Sequence, residues 1–189
     1  MLSFARLREA NSQRYPLFKN SKGVLVHTED DDWSDEDWLI AICGEVGELG
    51  NLLKKVRRGD MLPTSVEIQY ELADIQIYLD LFAYTKRVDM DKAFAITIKD
   101  DRITTFHELR QFIIKIAPGD SIRLNYLNLF QRVSTMCALA ELGSSLINAF
   151  ISVQLQLDAV AASLDVNLGL ATIQKFNSVS DKIGVDVKL

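Results

Sequence analysis

Between Ser34 and Gly59 the apolar residues Trp38, Ile42, Val46, Leu49, Leu53 and Val56 recur every three or four positions, with no proline among them. Residues so spaced share one face at about 100° per residue, which predicts an amphipathic helix of about six turns. Ser34 followed by Asp35, Glu36 and Asp37 supplies an N-cap and an acidic first turn, suited to the positive end of a helix dipole. Lys54, Lys55, Arg57 and Arg58 crowd the far end, Gly59 can terminate it, and Pro63 lies in the following turn. So long an apolar face must be buried against other elements. The 189 residues contain only three prolines and nine glycines, too few turn formers for a sandwich or barrel, so those elements should also be helices.

Thr64 and Glu67 form a capping-box pattern ahead of a second stripe, Ile68, Leu72, Ile75, Leu79 and Phe82. The two helices are expected to make an antiparallel hairpin. Beyond Asp89 a shorter helix should run to Lys99, and Thr105 with Glu108 repeats the capping pattern before Phe106, Leu109, Phe112, Ile113 and Ile116. Pro118-Gly119-Asp120 reads as a turn. Residues 121 to about 164 are nearly charge-free and helical in composition, with a break expected around Gly143 to Ser145, and a last helix is expected over about 167 to 183. The fold expected is an all-α bundle of seven or eight helices in a single domain, 1–189.

A composition 48% hydrophobic and 25% charged excludes a disordered or collagen-like chain. A net charge of −5 argues against a nucleic-acid partner. The longest charge-free run, residues 142 to 157, falls short of the roughly 20 residues of a membrane span, so no membrane association is expected. Arg6, Arg8 and Glu9 leave no room for a signal-peptide core, and a cytoplasmic protein is expected. Cys43 and Cys137 lie far apart with no CxxC and no nearby His, reading as reduced core thiols. His27 and His107 are isolated and read as surface or capping residues.

The second half echoes the first. Phe4, Leu7 and Arg8 reappear as Phe106, Leu109 and Arg110, Glu48-Leu49-Gly50 as Glu141-Leu142-Gly143, Leu79-Asp80 as Leu157-Asp158, and Ala93 as Ala171. The echo suggests two degenerate repeats, 1–102 and 103–189, although amphipathic helices also resemble one another by composition alone. The charge is uneven between them: 19 Asp and Glu against 14 Lys and Arg in the first, seven of each in the second.

Four acids in the first half are arranged in a way that asks for compensation. Glu45 and Glu48 lie three apart on the first long helix, and Glu71 and Asp74 three apart on the second. From the centres of their stripes Glu45 and Glu48 stand at roughly 55° and 115°, Glu71 and Asp74 at roughly 60° and 120°, in the same rotational sense. Antiparallel helices reverse that sense when viewed from one end, so both acidic edges can face one groove. Acids on a long helix are ordinarily its solvated face, but none of these four has a Lys or Arg three or four residues away. Like charges so placed are mutually unfavourable, and a divalent cation is the simplest remedy. An all-oxygen set favours Mg2+, with Mn2+ as the alternative, over zinc.

These residues also carry a family resemblance. Gly44-Glu45-Val46-Gly47-Glu48-Leu49 followed by Glu71-Leu72-Ala73-Asp74-Ile75-Gln76-Ile77-Tyr78-Leu79 resembles the metal-binding signature of the MazG-like, all-α nucleoside triphosphate pyrophosphohydrolases, relatives of the dimeric dUTPases. The likeness extends to Lys54-Lys55-Val56-Arg57-Arg58-Gly59 and to a closing segment, residues 175 to 184, that begins Lys175-Phe176-Asn177. It departs from simpler members in some 80 extra residues between the ExxD helix and that segment. The resemblance implies hydrolysis of a (d)NTP to monophosphate and pyrophosphate. It makes Glu45, Glu48, Glu71 and Asp74 the Mg2+ ligands, with Glu45 or Glu48 as the base accepting a proton from water.

Lys54, Lys55, Arg57, Arg58 and Lys175 become candidate phosphate contacts, Asn177 a candidate hydrogen-bond partner of the substrate, Tyr78 a candidate contact near the sugar, and Trp38 and Asn11 candidate contacts to the base. The second repeat would place Ala138, Ala149 and Ser152 where the first has Glu45, Glu71 and Asp74. One repeat then keeps the metal ligands and the other the closing segment, giving one composite site in a bundle that is either a monomeric pseudo-dimer or part of a homodimer. A strict dUTPase, a non-catalytic nucleotide-binding regulatory protein and a purely structural bundle are the rival expectations.

Overall fold

The computed structural model describes residues 1–20, 22–28, 32–116, 119 and 121–189. Among them lie eight α-helices: α1 (Phe4–Arg14), α2 (Asp35–Arg58), α3 (Val66–Thr85), α4 (Met90–Ile98), α5 (Phe106–Ile116), α6 (Ile122–Glu141), α7 (Ile147–Ser163) and α8 (Leu168–Ile183). A 3-10 turn, Tyr15–Leu17, follows α1. No strand ladder forms among the described residues, only two isolated bridges, Ser3 with Thr105 and Lys19 with Leu25. The fold is therefore all-α. No single helix among the described residues is long and apolar enough to cross a membrane.

Local chemistry sets the helix ends. Ser34 and Asp37 form a reciprocal capping box at the start of α2, and Gly59 ends it in the left-handed region at φ +81°, a conformation that costs glycine little. The start of α3 differs from expectation. Ser65, not Thr64, is the N-cap and accepts from the Ile68 amide, while Glu67 falls in the first turn and is exposed. At α5 the expected box holds: Thr105 accepts from the Glu108 amide, and the Glu108 carboxylate accepts from the Thr104 and Thr105 amides. The proposed turn at 118–120 falls largely outside the described residues, where only Gly119 is described.

The stripes read from sequence are the core. Trp38, Ile42, Val46 and Leu49 of α2 meet Ile68, Leu72, Ile75, Leu79 and Phe82 of α3, all at most 1% exposed. Three ties fix the hairpin as antiparallel: the Lys86–Asp35 ion pair, the Trp38–Tyr78 ring contact and the approach of Glu45 to Glu71 and Asp74. Helices α6 and α7 make a second hairpin. At the centre α3 crosses α7, where the buried Gln76 and Gln154 amides donate to each other at 2.9 and 2.6 Å. Helix α8 packs on α3, and α4 packs on α7.

Two arginines that grip buried aspartates recur, one in each half of the chain. Arg8 holds Asp80 and donates to the Val88 carbonyl at 2.9 Å. Arg110 holds Asp158 and donates to the Val166 carbonyl at 2.8 Å. Asp80 and Asp158, and likewise Val88 and Val166, are 78 residues apart. Arg87 and Asp165, also 78 apart, are both left-handed at φ +56°. Asp89 and Asn167 then cap α4 and α8.

Candidate functional site

The acidic edges of α2 and α3 do converge. Glu45, Glu71 and Asp74 each offer a carboxylate oxygen, these atoms all lie within 4.8 Å of one another, and all three residues are half-buried. Glu48 does not join them. It is exposed, although it lies close enough for its charge to act on each of the three. Asp74 stands as far from its own stripe as Glu48 does, yet α8 covers that edge of α3.

Burial and mutual repulsion perturb the cluster. Partial burial pushes the Glu45 carboxyl up to about 8, reinforced by Asp74, Glu71 and Glu48. The Glu71 and Asp74 carboxyls are raised too, chiefly by burial. Glu71 Oε2 is buried with no hydrogen-bond partner, a costly state for a carboxylate oxygen. One cation is already present: Lys175 of α8 places its ammonium 2.5 Å from Asp74 and 5.1 Å from the centre of the Tyr70 ring. An all-oxygen set with an unpartnered buried oxygen has the donor chemistry of a hard divalent cation site.

The cluster opens on a cavity of about 650 Å³ whose lining includes Glu45, Asp74 and Lys175, a size in the range of small-molecule sites. Asn11, Arg14, Trp38 and Tyr78 also line it, and Tyr15, His27 and Trp33 complete an aromatic wall. His27 stacks on Tyr15 at 4.0 Å and on Trp38 at 5.5 Å, while Trp33 lies 4.6 Å from Trp38 and stacks on Tyr78 at 6.2 Å. Asp32 organises this wall from one side, accepting from Tyr15 Oη and pairing with His27 Nδ1 at 2.9 Å. His27 is thus a buried part of the cavity, a correction to the expectation of a surface or capping residue. His107 is exposed.

Arg14 is nearly fully buried, donating to the Phe176 carbonyl and the Ser180 hydroxyl while its guanidinium lies over the Phe176 ring. Burial lowers it to about 10, against the pull of Asp74 and Tyr78. Tyr78 is pushed up to about 12 by burial and by the Glu45 and Asp74 charges.

Asn11 is fully buried and held in one orientation. Its Nδ2 donates to Asp80 Oδ2 at 2.9 Å, and that carboxylate is in turn gripped by Arg8. A carboxylate only accepts, so the amide cannot flip, and Oδ1 is left as a buried acceptor with no partner. Trp38 Nε1 is a buried donor with none.

Five expected contacts lie away from the cavity. Lys54, Lys55 and Arg58, like Arg57, are exposed toward the C-terminal end of α2 and are absent from its lining, and Arg58 pairs with Asp60. Asn177 also does not line it. Its side chain exchanges hydrogen bonds with the Leu189 backbone, pinning the C-terminal segment to α8. The reason is angular: two residues beyond Lys175 on a helix is about 200° around the axis. Of the cavity residues not anticipated, Arg14 carried one signal, its position three after Asn11 on α1. Tyr15 and Trp33 lie outside the α-helices and carried none.

No family model, curated protein or solved structure matches this chain.

Proposed function

We propose that this protein is a Mg2+-dependent nucleoside triphosphate pyrophosphohydrolase, cleaving a (d)NTP between the α and β phosphates in nucleotide-pool housecleaning. The observation that carries the reading is the union, in one cavity, of three converging carboxylates, two cations from other helices and a wall of stacked aromatic rings. Glu45, Glu71 and Asp74 would hold the metal, with Glu48 within electrostatic reach as a fourth acid. When bound, Mg2+ would neutralise the triphosphate, stabilise the leaving pyrophosphate and acidify an attacking water. Glu45 lines the cavity and Glu48 does not, which favours Glu45 as the proton acceptor. Lys175 and Arg14 supply cationic donors for phosphate oxygens. Trp38, Trp33 and Tyr78 offer faces for the base, and Asn11 Oδ1 offers it an acceptor.

On the same footing, α1–α4 and α5–α8 are two degenerate repeats folded as an intramolecular pseudo-dimer, of MazG-like type. The paired Arg8–Asp80 and Arg110–Asp158 motifs, the matching left-handed residues 78 apart and the central Gln76–Gln154 pair support this. So does the meeting of Lys175, from the second half, with Asp74 from the first.

The test is a panel of standard and modified (d)NTPs with Mg2+, scored for monophosphate and pyrophosphate. Release of inorganic phosphate, or no turnover, would overturn the assignment. Turnover confined to dUTP would narrow it to a strict dUTPase, and binding without turnover would make the chain a nucleotide-binding protein. Glu71→Ala and Lys175→Ala should each impair turnover although they lie 104 positions apart. If only the first does, the composite site is refuted.

A further inference from the structure

Cys43 and Cys137 do not sit in the core as separate thiols. Cys43 is exposed on α2, Cys137 is half-buried on α6, and their sulfur atoms face each other at 3.8 Å across 94 positions of sequence. Close packing holds these helices together: Tyr126 of α6 donates to the Val46 carbonyl of α2 at 3.0 Å, and its hydroxyl lies where a side chain on Gly50 would be. Neither thiol is among the residues lining the large cavity.

We propose that Cys43 and Cys137 form a reversible disulfide that staples α2 to α6, with a low-molecular-mass disulfide such as oxidised glutathione as co-substrate. The proposal is independent of what the cavity binds. Cys43, the accessible sulfur, attacks the small disulfide as thiolate. Its S–S bond breaks, a mixed disulfide forms, and the first small thiol leaves with the proton that Cys43 gave up. The Cys137 thiolate then attacks the Cys43 sulfur and expels the second small thiol, which takes up the Cys137 proton. Two protein thiols are oxidised by two electrons, and one small disulfide is reduced to two thiols. The thiolate is the attacking form, so the exchange runs faster in alkaline than in neutral buffer.

The experiment treats the full chain with oxidised glutathione, then measures intact mass, free thiols, oligomeric state and thermal unfolding, with and without dithiothreitol. The expected product is a monomer lighter by two hydrogens, with no free thiol and a Tm higher by roughly 5–15 °C, since a bridge over so long a loop restricts the unfolded chain strongly. Dithiothreitol should reverse all of it. Cys43→Ser and Cys137→Ser should each keep the native Tm and lose the oxidant-induced rise. Stable glutathione adducts on the unmutated chain, disulfide-linked dimers, unreacted thiols, or a bridge that leaves Tm unchanged would each overturn the proposal.

Discussion

Replacing Glu45 with Gln should stabilise the metal-free protein above pH 7, and the gain should vanish toward pH 5. In the folded chain the carboxyl titrates near 8, against 4.5 for the free side chain. The folded form thus keeps its proton through a window in which the unfolded form has released it. Stability from this group is present below 4.5 and is lost as pH rises toward 8, by at most about 4.8 kcal/mol. Glu45 is only partly buried, and solvent screening brings the expected loss to about 1–2 kcal/mol. Glutamine has the shape of the protonated acid at every pH, and its amide can donate to the unpartnered Glu71 Oε2. Urea unfolding with a chelator at pH 5, 7 and 8.5 would measure the difference. Wild type should approach or overtake the variant when Mg2+ is added at pH 8.5. A variant no more stable than wild type at pH 8.5 without metal, or one equally stabilised at pH 5, would refute the reasoning.

Four further outcomes are expected. Arg8→Met and Arg110→Met each strand a buried aspartate and should cost about 3–5 kcal/mol in urea unfolding. Gly47→Ala should stabilise by about 0.5–1 kcal/mol through helix propensity alone, because a Cβ there meets nothing within 4 Å. Gly50→Ala should destabilise, because its Cβ would lie 2.1 Å from the Tyr126 hydroxyl, and Tyr126→Phe should relieve part of that. The only two tryptophans, Trp33 and Trp38, both line the cavity, so a nucleoside triphosphate with Mg2+ should alter intrinsic fluorescence saturably. Unchanged emission at a concentration supporting turnover would place the site elsewhere.

Periodicity and caps made the helices of this chain legible. Ser34 and Gly59 delimit α2, Asp89 and Asn167 open α4 and α8, and the stripe of α3 is the buried stripe observed. Angle from the stripe brought out three carboxylates, but the same angle gave Glu48 and Asp74 equal standing. What separates them is that α8 lies over one edge of α3, a tertiary fact that no local period encodes. The aromatic wall was harder still. Tyr15, His27 and Trp33 fall in and after the 3-10 turn, where no repeat assigns a face, and only the folded chain stacks them on Trp38. The cysteines, 94 positions apart on α2 and α6, carry no spacing signal because only the packing of those two helices brings them together.

The crossing of α3 and α7 has a consequence for how this sequence can drift. Gln76 and Gln154 satisfy each other and are at most 1% exposed. Changing either to leucine strands the other amide at a cost of about 1–3 kcal/mol, while changing both to apolar residues of similar shape can be nearly neutral. Viable neighbours of this sequence are thus separated from it at the centre of the fold by a two-step path with an unstable middle. Positions 76 and 154 should therefore inherit their changes jointly, as a single heritable unit split between two distant stretches of chain.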